Sequence, residues 1–356
     1  MKILHVITSL RTGGAEKLMV DLLPRLKAKG LNVDLLLFDG TDTPFRREVE
    51  NAGIKVFDLG IGGFIYSPLK LFKLIPYLKN YDIIHTHNTA PQLFVAILSY
   101  LKRSRLLTTE HGGSNRRRTI KGYRIIDKWM YHRYDKIICI ADKTKQNLLK
   151  YLRVTLPGVI VINNGVDIVR YANAAPSGEL EKMAPGSRKI IMVAGFRWEK
   201  DQDTLIKSLK ELPYGFHLFL VGDGVRRPEL ETIVRDENLG DRVHFLGLRT
   251  DVPQLLHAAD YVVMSSHFEG LSLSSVEGMS VGRPFLASDV DGLREVVKGA
   301  GILFPHGDSK ALANEIMTLE DFPEKYRSVA VTCFQRVGQF DISKMVDGYA
   351  ELYKSL

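Results

Sequence analysis

Short apolar runs alternate along the chain with longer segments in which apolar residues recur at a helical period. The runs are rich in β-branched residues and too short for helices, so they predict buried strands. Strands that alternate with helices predict a mostly parallel sheet covered on both faces. In the first half, the predicted strands are residues 3–8, 32–38, 55–58, 83–87, 106–110, 137–141 and 159–162, and the predicted helices are 15–29, 45–52, 68–78 and 120–134.

A Gly-, Pro- and Ala-rich segment interrupts the pattern, and a second series of strands and helices begins at Lys189. The sequence therefore predicts two α/β domains of doubly wound type. We place an N-terminal domain at residues 1–172, a linker at 173–187, a second domain at 188–338 and an amphipathic C-terminal helix at 339–356. Sheets of this type bind ligands outside the carboxyl ends of their strands, so a cleft between the domains is the expected site.

The most informative stretch is residues 259–277. A short strand is followed by a loop with Glu269 and Gly270, and then by a helix start at Ser272 or Ser274. A strand that runs through a glycine-containing loop into a helix presents free backbone N–H groups and a positive dipole end, both of which favour phosphate. The sequence therefore predicts an anion site here, with carboxylates beside it.

Glu269 and Glu277 are separated by seven residues within the pattern F-E-G-L-x-L-x-x-x-E-x-M-x-x-G-x-P. This pattern resembles the paired-glutamate signature of retaining glycosyltransferases of the GT4 type (glycosyl transferase group 1). The resemblance implies the GT-B fold, in which two Rossmann-like domains face a central cleft and the last helix packs back on the first domain. From the local pattern alone, Ser274-x-x-Glu277 is also a capping box, and Glu269 is also compatible with a solvated loop acid.

The resemblance implies transfer of a sugar from a nucleotide-sugar donor, a UDP- or GDP-sugar, to an acceptor hydroxyl with retention of configuration. It assigns Glu269 to the donor sugar and Glu277 to the ribose. No cofactor is expected, because preorganised cations can stabilise the charge that develops on the departing phosphate. No metal role is expected for the triplet Asp289-Val-Asp291. The other donor contacts expected around this loop are Gly270, Leu271, Ser272 and Leu273.

Arg197 and Lys200 follow the first strand of the second domain and are predicted to hold the diphosphate, although two solvated loop cations are the alternative. The arginine usual in the resembling family aligns with Gly195. Because alternate residues of an extended chain point to the same side, Arg197 is predicted to supply that charge. Gly222 and Arg249 match further strand ends that approach the nucleotide in the family.

In the first domain, Gly13 and Gly14 follow the first strand and would let backbone approach a ligand, although a plain turn explains the pair equally well. The resemblance places this loop against the donor diphosphate, and it assigns His111, at another strand end, to the donor sugar. His85 and His87 are interpreted as satisfied polar residues, because two histidines without a third ligand make a poor metal site.

Charge is divided unequally between the halves. Residues 1–170 carry 28 Lys and Arg against 14 Asp and Glu, a net +14, and residues 171–356 carry 21 against 27, a net −6. No nucleic-acid-binding motif accompanies the charge, so no nucleic acid partner is expected.

The first domain is predicted to dock on an anionic membrane through a basic helix with interleaved Trp129, Met130, Tyr131 and Tyr134. The alternative is a solvated basic helix whose aromatic residues pack inward. The assigned cations are Arg116, Arg117, Arg118, Lys121, Arg124 and Lys128.

The remaining features favour a cytoplasmic enzyme. Cys139 and Cys333 give no disulfide framework, the start reads as a strand rather than a signal peptide, and the longest apolar stretch is too short to cross a bilayer. The expected place is the inner face of the plasma membrane, with a glycan or polyprenyl-linked acceptor in surface polysaccharide synthesis. A nucleotide-sugar epimerase or hydrolase, a transferase with a soluble acceptor and a nucleotide-binding regulatory module stay open.

Overall fold

The computed structural model describes residues 1–11, 13–101, 104–112, 118, 120, 122–270 and 272–356. The predictions for Arg116, Arg117, Lys121 and Leu271 lie outside these residues. The described chain divides into two compact units, Met1–Asn164 with Ser343–Leu356, and Gly165–Ile342. Among the described residues, no helix has both the length and the apolar character needed to span a bilayer.

The first unit is built on a parallel sheet whose central strands are buried on both faces, which explains their continuous apolar runs. Its strands are β1 (Lys2–Ile7), β2 (Asn32–Leu37), β3 (Lys55–Asp58), β4 (Ile83–His87), β5 (Arg105–Glu110), β6 (Lys136–Cys139) and β7 (Val159–Val161). Within the described residues their order is β3-β2-β1-β4-β5-β6-β7. The helices are α1 (Gly14–Ala28), α2 (Pro44–Asn51), α3 (Leu69–Asn80), α4 (Thr89–Ile97), α5 (Tyr123–Tyr131) and α6 (Asp142–Leu152).

The second unit has its own parallel sheet, formed by β8 (Arg188–Val193), β9 (Phe216–Val221), β10 (Val243–Gly247), β11 (Tyr261–Met264), β12 (Phe285–Ser288) and β13 (Ile302–Phe304). The order among its described strands is β10-β9-β8-β11-β12-β13. The helices are α7 (Ile168–Ala172), α8 (Glu179–Met183), α9 (Gln202–Ser208), α10 (Arg227–Asp236), α11 (Val252–Ala258), α12 (Leu273–Met279), α13 (Arg294–Val297), α14 (Ser309–Asp321) and α15 (Pro323–Val337). Both sheets have the doubly wound order, so the predicted α/β fold class is confirmed.

The structure divides the chain earlier than the sequence predicted. Tyr171 of α7 and Leu180 of α8 are buried in the core of the second unit. His257 of α11 lies 2.7 Å from the backbone oxygen of Tyr171. The boundary therefore lies after Asn164 rather than after residue 172, and the predicted linker 173–187 is part of the second unit. Its two short helices present too few apolar positions to show a period.

The last helix, α16 (Ile342–Lys354), belongs from Ser343 onward to the first unit. Tyr349 and Tyr353 are completely buried there. The Tyr353 hydroxyl lies 2.6 Å from His85 Nδ1 in β4, and Lys29 forms an ion pair of 2.5 Å with Asp347. The C-terminus is thus fixed to the sheet of the first unit, as the resemblance implied.

Candidate active site

Glu269 lies in the loop between β11 and α12, with its side chain 10% exposed. Its Oε1 accepts hydrogen bonds from Lys200 Nζ at 2.6 Å and from Ser266 Oγ at 2.8 Å. Two predicted site residues that are far apart in sequence therefore form a partly buried ion pair. The alternative of a solvated loop acid is wrong, because the carboxylate is held by two donors.

This contact exists because β8 and β11 are neighbours in the sheet, so their carboxyl ends lie side by side. Ser265 Oγ donates to the backbone oxygen of Asp201 at 2.7 Å, which ties the loop after β11 to the loop after β8. Ser288 Oγ donates to the backbone oxygen of Ser266 at 2.5 Å and adds β12 to the same edge. The buried serine hydroxyls thus hold the loops that carry Glu269 and Lys200.

Arg197 lies three residues before Lys200 on the loop after β8. Its side chain is 70% exposed, and its Nη1 lies 4.0 Å from Glu199 Oε1. A Cβ atom built on Gly195 would lie 3.9 Å from Arg197 Nε. A side chain at position 195 would therefore project toward the space that the Arg197 side chain occupies. That Arg197 replaces the arginine expected at Gly195 stays a prediction. Because the guanidinium is exposed, it can still turn toward a ligand.

Glu277 lies one turn into α12 and is half-buried. The helix begins at Leu273 with Ser272 as its N-cap residue, so Ser274 is inside the first turn. The capping-box alternative for Ser274 and Glu277 is therefore wrong, because that motif needs the serine at the N-cap. Gly270 precedes this helix start.

Gly222 and Arg249, two predicted donor contacts, both pack against other parts of the second unit. Gly222 has φ +136°, and a Cβ atom there would lie 2.1 Å from the backbone oxygen of Ala194, so it permits close packing of two strand-end loops. Arg249 forms ion pairs with Asp251 at 2.7 Å and Glu179 at 2.6 Å. Hydrogen bonds to Asp251 and Glu179 raise the pKa of Arg249. The Arg249 guanidinium is thus held by two carboxylates, and its contact with the nucleotide stays a prediction.

The glycine loop of the first unit packs against Glu16, a residue that the sequence pattern did not single out. A Cβ atom on Gly13 would lie 2.2 Å from Glu16 Oε2, whereas one on Gly14 would meet open space. Asn88 Nδ2, at the end of the neighbouring strand β4, donates to Glu16 Oε1 at 3.2 Å. Burial raises the pKa of Glu16. The position of Glu16, two residues after the glycine pair, is the sequence feature that could have identified it as a neighbour of this loop.

His111 follows β5 and lines a cavity of about 280 Å³ together with Asn88, Thr109 and Glu110. Its Nε2 lies 2.9 Å from His87 Nδ1. Burial lowers the pKa of His111 to about 4, so this side chain is neutral near pH 7. A neutral imidazole at a strand end can hydrogen-bond a ligand without adding charge.

Several residues assigned to the membrane surface lie inside the first unit. Arg118 pairs with Glu110 at 2.8 Å, and their side chains are only 8% and 7% exposed. Met130, Tyr131 and Tyr134 are buried in the core. Arg118 is therefore not a surface cation, and these three side chains pack inward, as the alternative held.

Known proteins resemble the chain along most of its length. The family profile described as Glycosyltransferase Family 4 matches residues 12–170, and the one described as Glycosyl transferases group 1 matches residues 187–321. The UDP-Gal:alpha-D-GlcNAc-diphosphoundecaprenol alpha-1,3-galactosyltransferase of Escherichia coli is 28% identical over 81% of this chain and 78% of its own length. The putative glycosyltransferase EpsD of Bacillus subtilis is 27% identical over 82% and 80%.

Solved structures agree with this relationship. Anabaena Alr3699/HepE in complex with UDP-glucose has a TM-score of 0.87 and 26% identity, with 100% of both chains covered. Sucrose-phosphate synthase from Thermosynechococcus elongatus has a TM-score of 0.77 at 22% identity and supports the fold. The chain belongs to the GT4-type (group 1) glycosyltransferases and has the GT-B fold of two Rossmann-like domains. The protein is a glycosyltransferase, and the predicted family, fold and enzyme class are confirmed.

We predict that Gly292→Ala disturbs the Glu269 loop. Gly292 has φ +84°, and a Cβ atom would lie 2.1 Å from the backbone oxygen of Gly270. Gly282→Ala is the matched control, because φ is +67° but the space is open. Left-handed backbone costs a non-glycine residue about 1–2 kcal/mol, so Gly282→Ala should lose that much. Gly292→Ala should lose at least about 1 kcal/mol more, because overpacking adds to the backbone strain.

Urea unfolding in a Trp129→Phe background measures this difference, since Trp198 then reports on the second unit. Equal losses for the two variants would show that the loop yields without strain and that Gly292 does not position Glu269.

Proposed function

We propose that this glycosyltransferase moves a hexose from a UDP-sugar, with retention of configuration, to a hydroxyl of a polyprenyl-diphosphate-linked glycan in surface polysaccharide synthesis. The observation that carries the proposal is the contact of Lys200 with Glu269, with the exposed Arg197 on the same loop as Lys200. The E. coli relative is named for a UDP-sugar donor and a diphosphoundecaprenol acceptor, and the Anabaena structure for UDP-glucose, which supports UDP over GDP. The named relatives are transferases, which favours transfer over epimerisation.

Lys200 and Arg197 would stabilise the departing diphosphate. An ammonium group has three donors, so Lys200 can keep its bond to Glu269 while it donates to a phosphate oxygen. The guanidinium of Arg197 can offer two parallel donors. Negative charge grows on the β-phosphate as the bond to the sugar breaks, and fixed cations bind that state more tightly than the ground state.

The carboxylates would hold the rest of the donor. Glu269 is already oriented by Lys200 and Ser266, and in the proposal it accepts a hydrogen bond from a sugar hydroxyl. Glu277 would accept from the ribose, and the departing phosphate would take the acceptor proton. The remaining proposed donor contacts are His111, Gly13, Gly14, Gly270, Leu271, Ser272 and Leu273.

We propose that this reaction needs no metal ion. Arg294 lies 2.5 Å from Asp289 Oδ1 and 3.5 Å from Asp291 Oδ1, so a guanidinium already pairs with both carboxylates of the DxD triplet. A divalent cation would have to displace it. The charge on the diphosphate would instead meet the cations of the loop after β8.

In the proposal the enzyme binds its lipid-linked acceptor at an anionic membrane. The surface of the first unit that would contact the membrane is apolar as well as basic. Ile125 of α5 is 73% exposed, and Tyr100 is 69% exposed. The Arg133 guanidinium lies 4.3 Å from the Tyr100 ring centre, so the segment that follows α5 contacts the segment that contains Tyr100. We call this the Ile125 surface, and its described members are Tyr100, Leu101, Ile120, Arg124, Ile125, Ile126, Lys128 and Arg133.

Glu269→Gln should lower the rate of transfer about 100-fold or more while leaving UDP affinity within a few-fold. The amide keeps the shape and can still accept from Ser266, but it loses the negative charge, and charge placed for a transition state typically contributes this much. Asp289→Asn is the control and should keep transfer near the wild-type rate. Radiolabelled sugar transfer and UDP calorimetry measure the two effects. Transfer by Glu269→Gln within a few-fold of wild type would remove Glu269 from the mechanism.

Arg197→Ala and Lys200→Ala should each weaken UDP binding by about 1.5–3 kcal/mol, the usual contribution of a hydrogen bond to a charged group. Arg235→Ala is the control, because this exposed arginine on α10 bonds only within its own helix to Thr232 among the described residues. Calorimetry with UDP gives the affinities. An unchanged affinity in Arg197→Ala would mean that nothing at this position replaces the arginine expected at Gly195.

Loss of apolar and basic groups from the Ile125 surface should weaken membrane binding. Each basic residue near an anionic surface contributes about 1 kcal/mol, and each buried isoleucine about 1.5–3 kcal/mol. Ile125→Ser with Ile126→Ser, and separately Arg124→Glu, should reduce co-sedimentation with phosphatidylglycerol vesicles. Val225→Ser, which changes a residue of the second unit that is 90% exposed, should not.

High salt and neutral vesicles should both reduce binding of the wild-type protein, because the attraction is partly electrostatic. If wild-type protein fails to sediment with anionic vesicles at low salt, the membrane proposal is wrong and a soluble acceptor is favoured.

A further inference from the structure

A continuous chain of side-chain hydrogen bonds runs from His111 into the core of the first unit and ends on the last helix. It passes through four imidazoles and three hydroxyl groups. We call it the histidine–tyrosine chain, and its members in order are His111, His87, His5, Tyr353, His85, Thr109 and Tyr349.

The outer half of the chain joins three imidazoles to Tyr353. His111 Nε2 lies 2.9 Å from His87 Nδ1, and His87 Nε2 lies 3.0 Å from His5 Nδ1. His5 Nε2 lies 3.2 Å from the Tyr353 hydroxyl. Both ring nitrogens of His5 and His87 are therefore used, and neither side chain has any exposed surface.

The inner half of the histidine–tyrosine chain joins residues of β4 and β5 to the helix α16. The Tyr353 hydroxyl lies 2.6 Å from His85 Nδ1, and His85 Nε2 lies 2.8 Å from Thr109 Oγ1. Thr109 Oγ1 then lies 3.3 Å from the Tyr349 hydroxyl. Because His85, Tyr349 and Tyr353 are all completely buried, water does not compete for these bonds.

All four imidazoles are neutral near pH 7. Burial lowers the pKa of His5 to about 3 and that of His111 to about 4, and burial lowers the pKa of His85 and His87 well below its usual value. A neutral imidazole has one N–H donor and one acceptor nitrogen. A hydroxyl can accept two hydrogen bonds, but a buried hydroxyl that accepted from both of its neighbours would leave its own O–H unpaired. All bonds of the histidine–tyrosine chain therefore run in one direction, either toward His111 or away from it.

The inner end decides the direction. Among the described residues, the Tyr349 hydroxyl has Thr109 Oγ1 as its hydrogen-bond partner. Leaving a buried O–H donor unpaired costs more than leaving one lone pair unused, so Tyr349 donates to Thr109. Thr109 then donates to His85 Nε2, and each later member donates toward His111. In this direction His85, His5 and His87 all carry their protons on Nδ1.

His111 Nε2 consequently accepts from His87, and the proton of His111 is on Nδ1. Within the described residues, His111 Nδ1 is buried and has no hydrogen-bond partner. His111 also lines the cavity of about 280 Å³. The chain thus leaves a single N–H donor unpaired at the edge of the sheet.

We propose that the histidine–tyrosine chain fixes His111 in the Nδ1–H tautomer, so that it presents a hydrogen-bond donor to an oxygen of its ligand. His87 is then a positioning residue, because it holds the proton of His111 on Nδ1 without touching the ligand. The identity of the ligand as a nucleotide-sugar rests on the proposed function, whereas the tautomer does not.

A buried metal ion is the competing explanation. Nitrogens of His5, His85 and His87 lie within 4.8 Å of one another. A metal held by all three would need nitrogens that carry no proton facing it, and the bonds from His5 to His87 and from His85 to Tyr353 would then break. The hydrogen-bonded arrangement uses every one of these nitrogens already.

Long-range ¹H–¹⁵N spectra of protein labelled with ¹⁵N-histidine test the tautomers directly. His111→Gln assigns the signals of His111. The expected result is an Nδ1–H tautomer for His5, His85, His87 and His111, with purified protein that contains no stoichiometric zinc by elemental analysis. Nε2–H tautomers at His87 and His111, or bound zinc with metal-shifted nitrogen signals, would overturn the inference.

Two variants of His87 separate positioning from packing. His87→Leu fills the space but removes the donor, so His111 should become a mixture of tautomers. His87→Asn carries an amide N–H near the position of Nδ1 and should keep the Nδ1–H form of His111. Both spectra are recorded without donor, so a failure to transfer sugar would contradict the proposed function and leave this result standing. An unchanged His111 tautomer in His87→Leu would show that His87 does not position it.

At His111 itself, an asparagine amide takes the place of Nδ1 and a glutamine amide that of Nε2. His111→Asn should therefore retain at least about tenfold more transfer activity than His111→Gln, a difference of about 1.4 kcal/mol. Equal activity would overturn the donor role of Nδ1.

Discussion

The ion pair of Lys200 with Glu269, 2.6 Å long, is the contact on which the proposed chemistry of the second unit depends. It forms because β8 and β11 are neighbours, so that the loops after them lie at the same edge of the sheet. A partly buried pair of this kind loses hydration on both partners, and removal of one partner would leave the other charge uncompensated. Three strand-end loops are tied by buried serine hydroxyls, so the pair is preorganised before any ligand binds.

The elements with strong periodicity were predictable from the sequence. The seven strands and the helices α1, α2 and α3 of the first unit lie close to where the pattern placed them, and α5 is shorter than predicted. The helix α6 was not predicted. The apolar pattern did not predict α4, because Phe94, Val95 and Ala96 are buried and little polar surface marks a period. The Ser274 capping box failed because Ser272 is the N-cap residue. Helix ends depend on loop geometry that a short motif does not determine.

Partners that are distant in sequence were not predictable. Arg118 was predicted to face a membrane and Arg249 to approach the nucleotide, yet each forms an ion pair with a carboxylate that the sequence did not predict as its partner, Glu110 and Glu179 respectively. Glu269 and Lys200 were found because a family signature and a strand-end position pointed to them. The link of His85 to Tyr353 spans 268 residues and follows only from the return of α16 to the first unit.

The family pattern predicts an arginine where this chain has Gly195. In the proposed site the exposed guanidinium of Arg197 supplies that charge. A crystal structure of the protein with bound UDP tests this most directly. The guanidinium of Arg197 and the ammonium of Lys200 should both lie about 3 Å from oxygens of the diphosphate. A diphosphate bound away from both cations would contradict the proposed site.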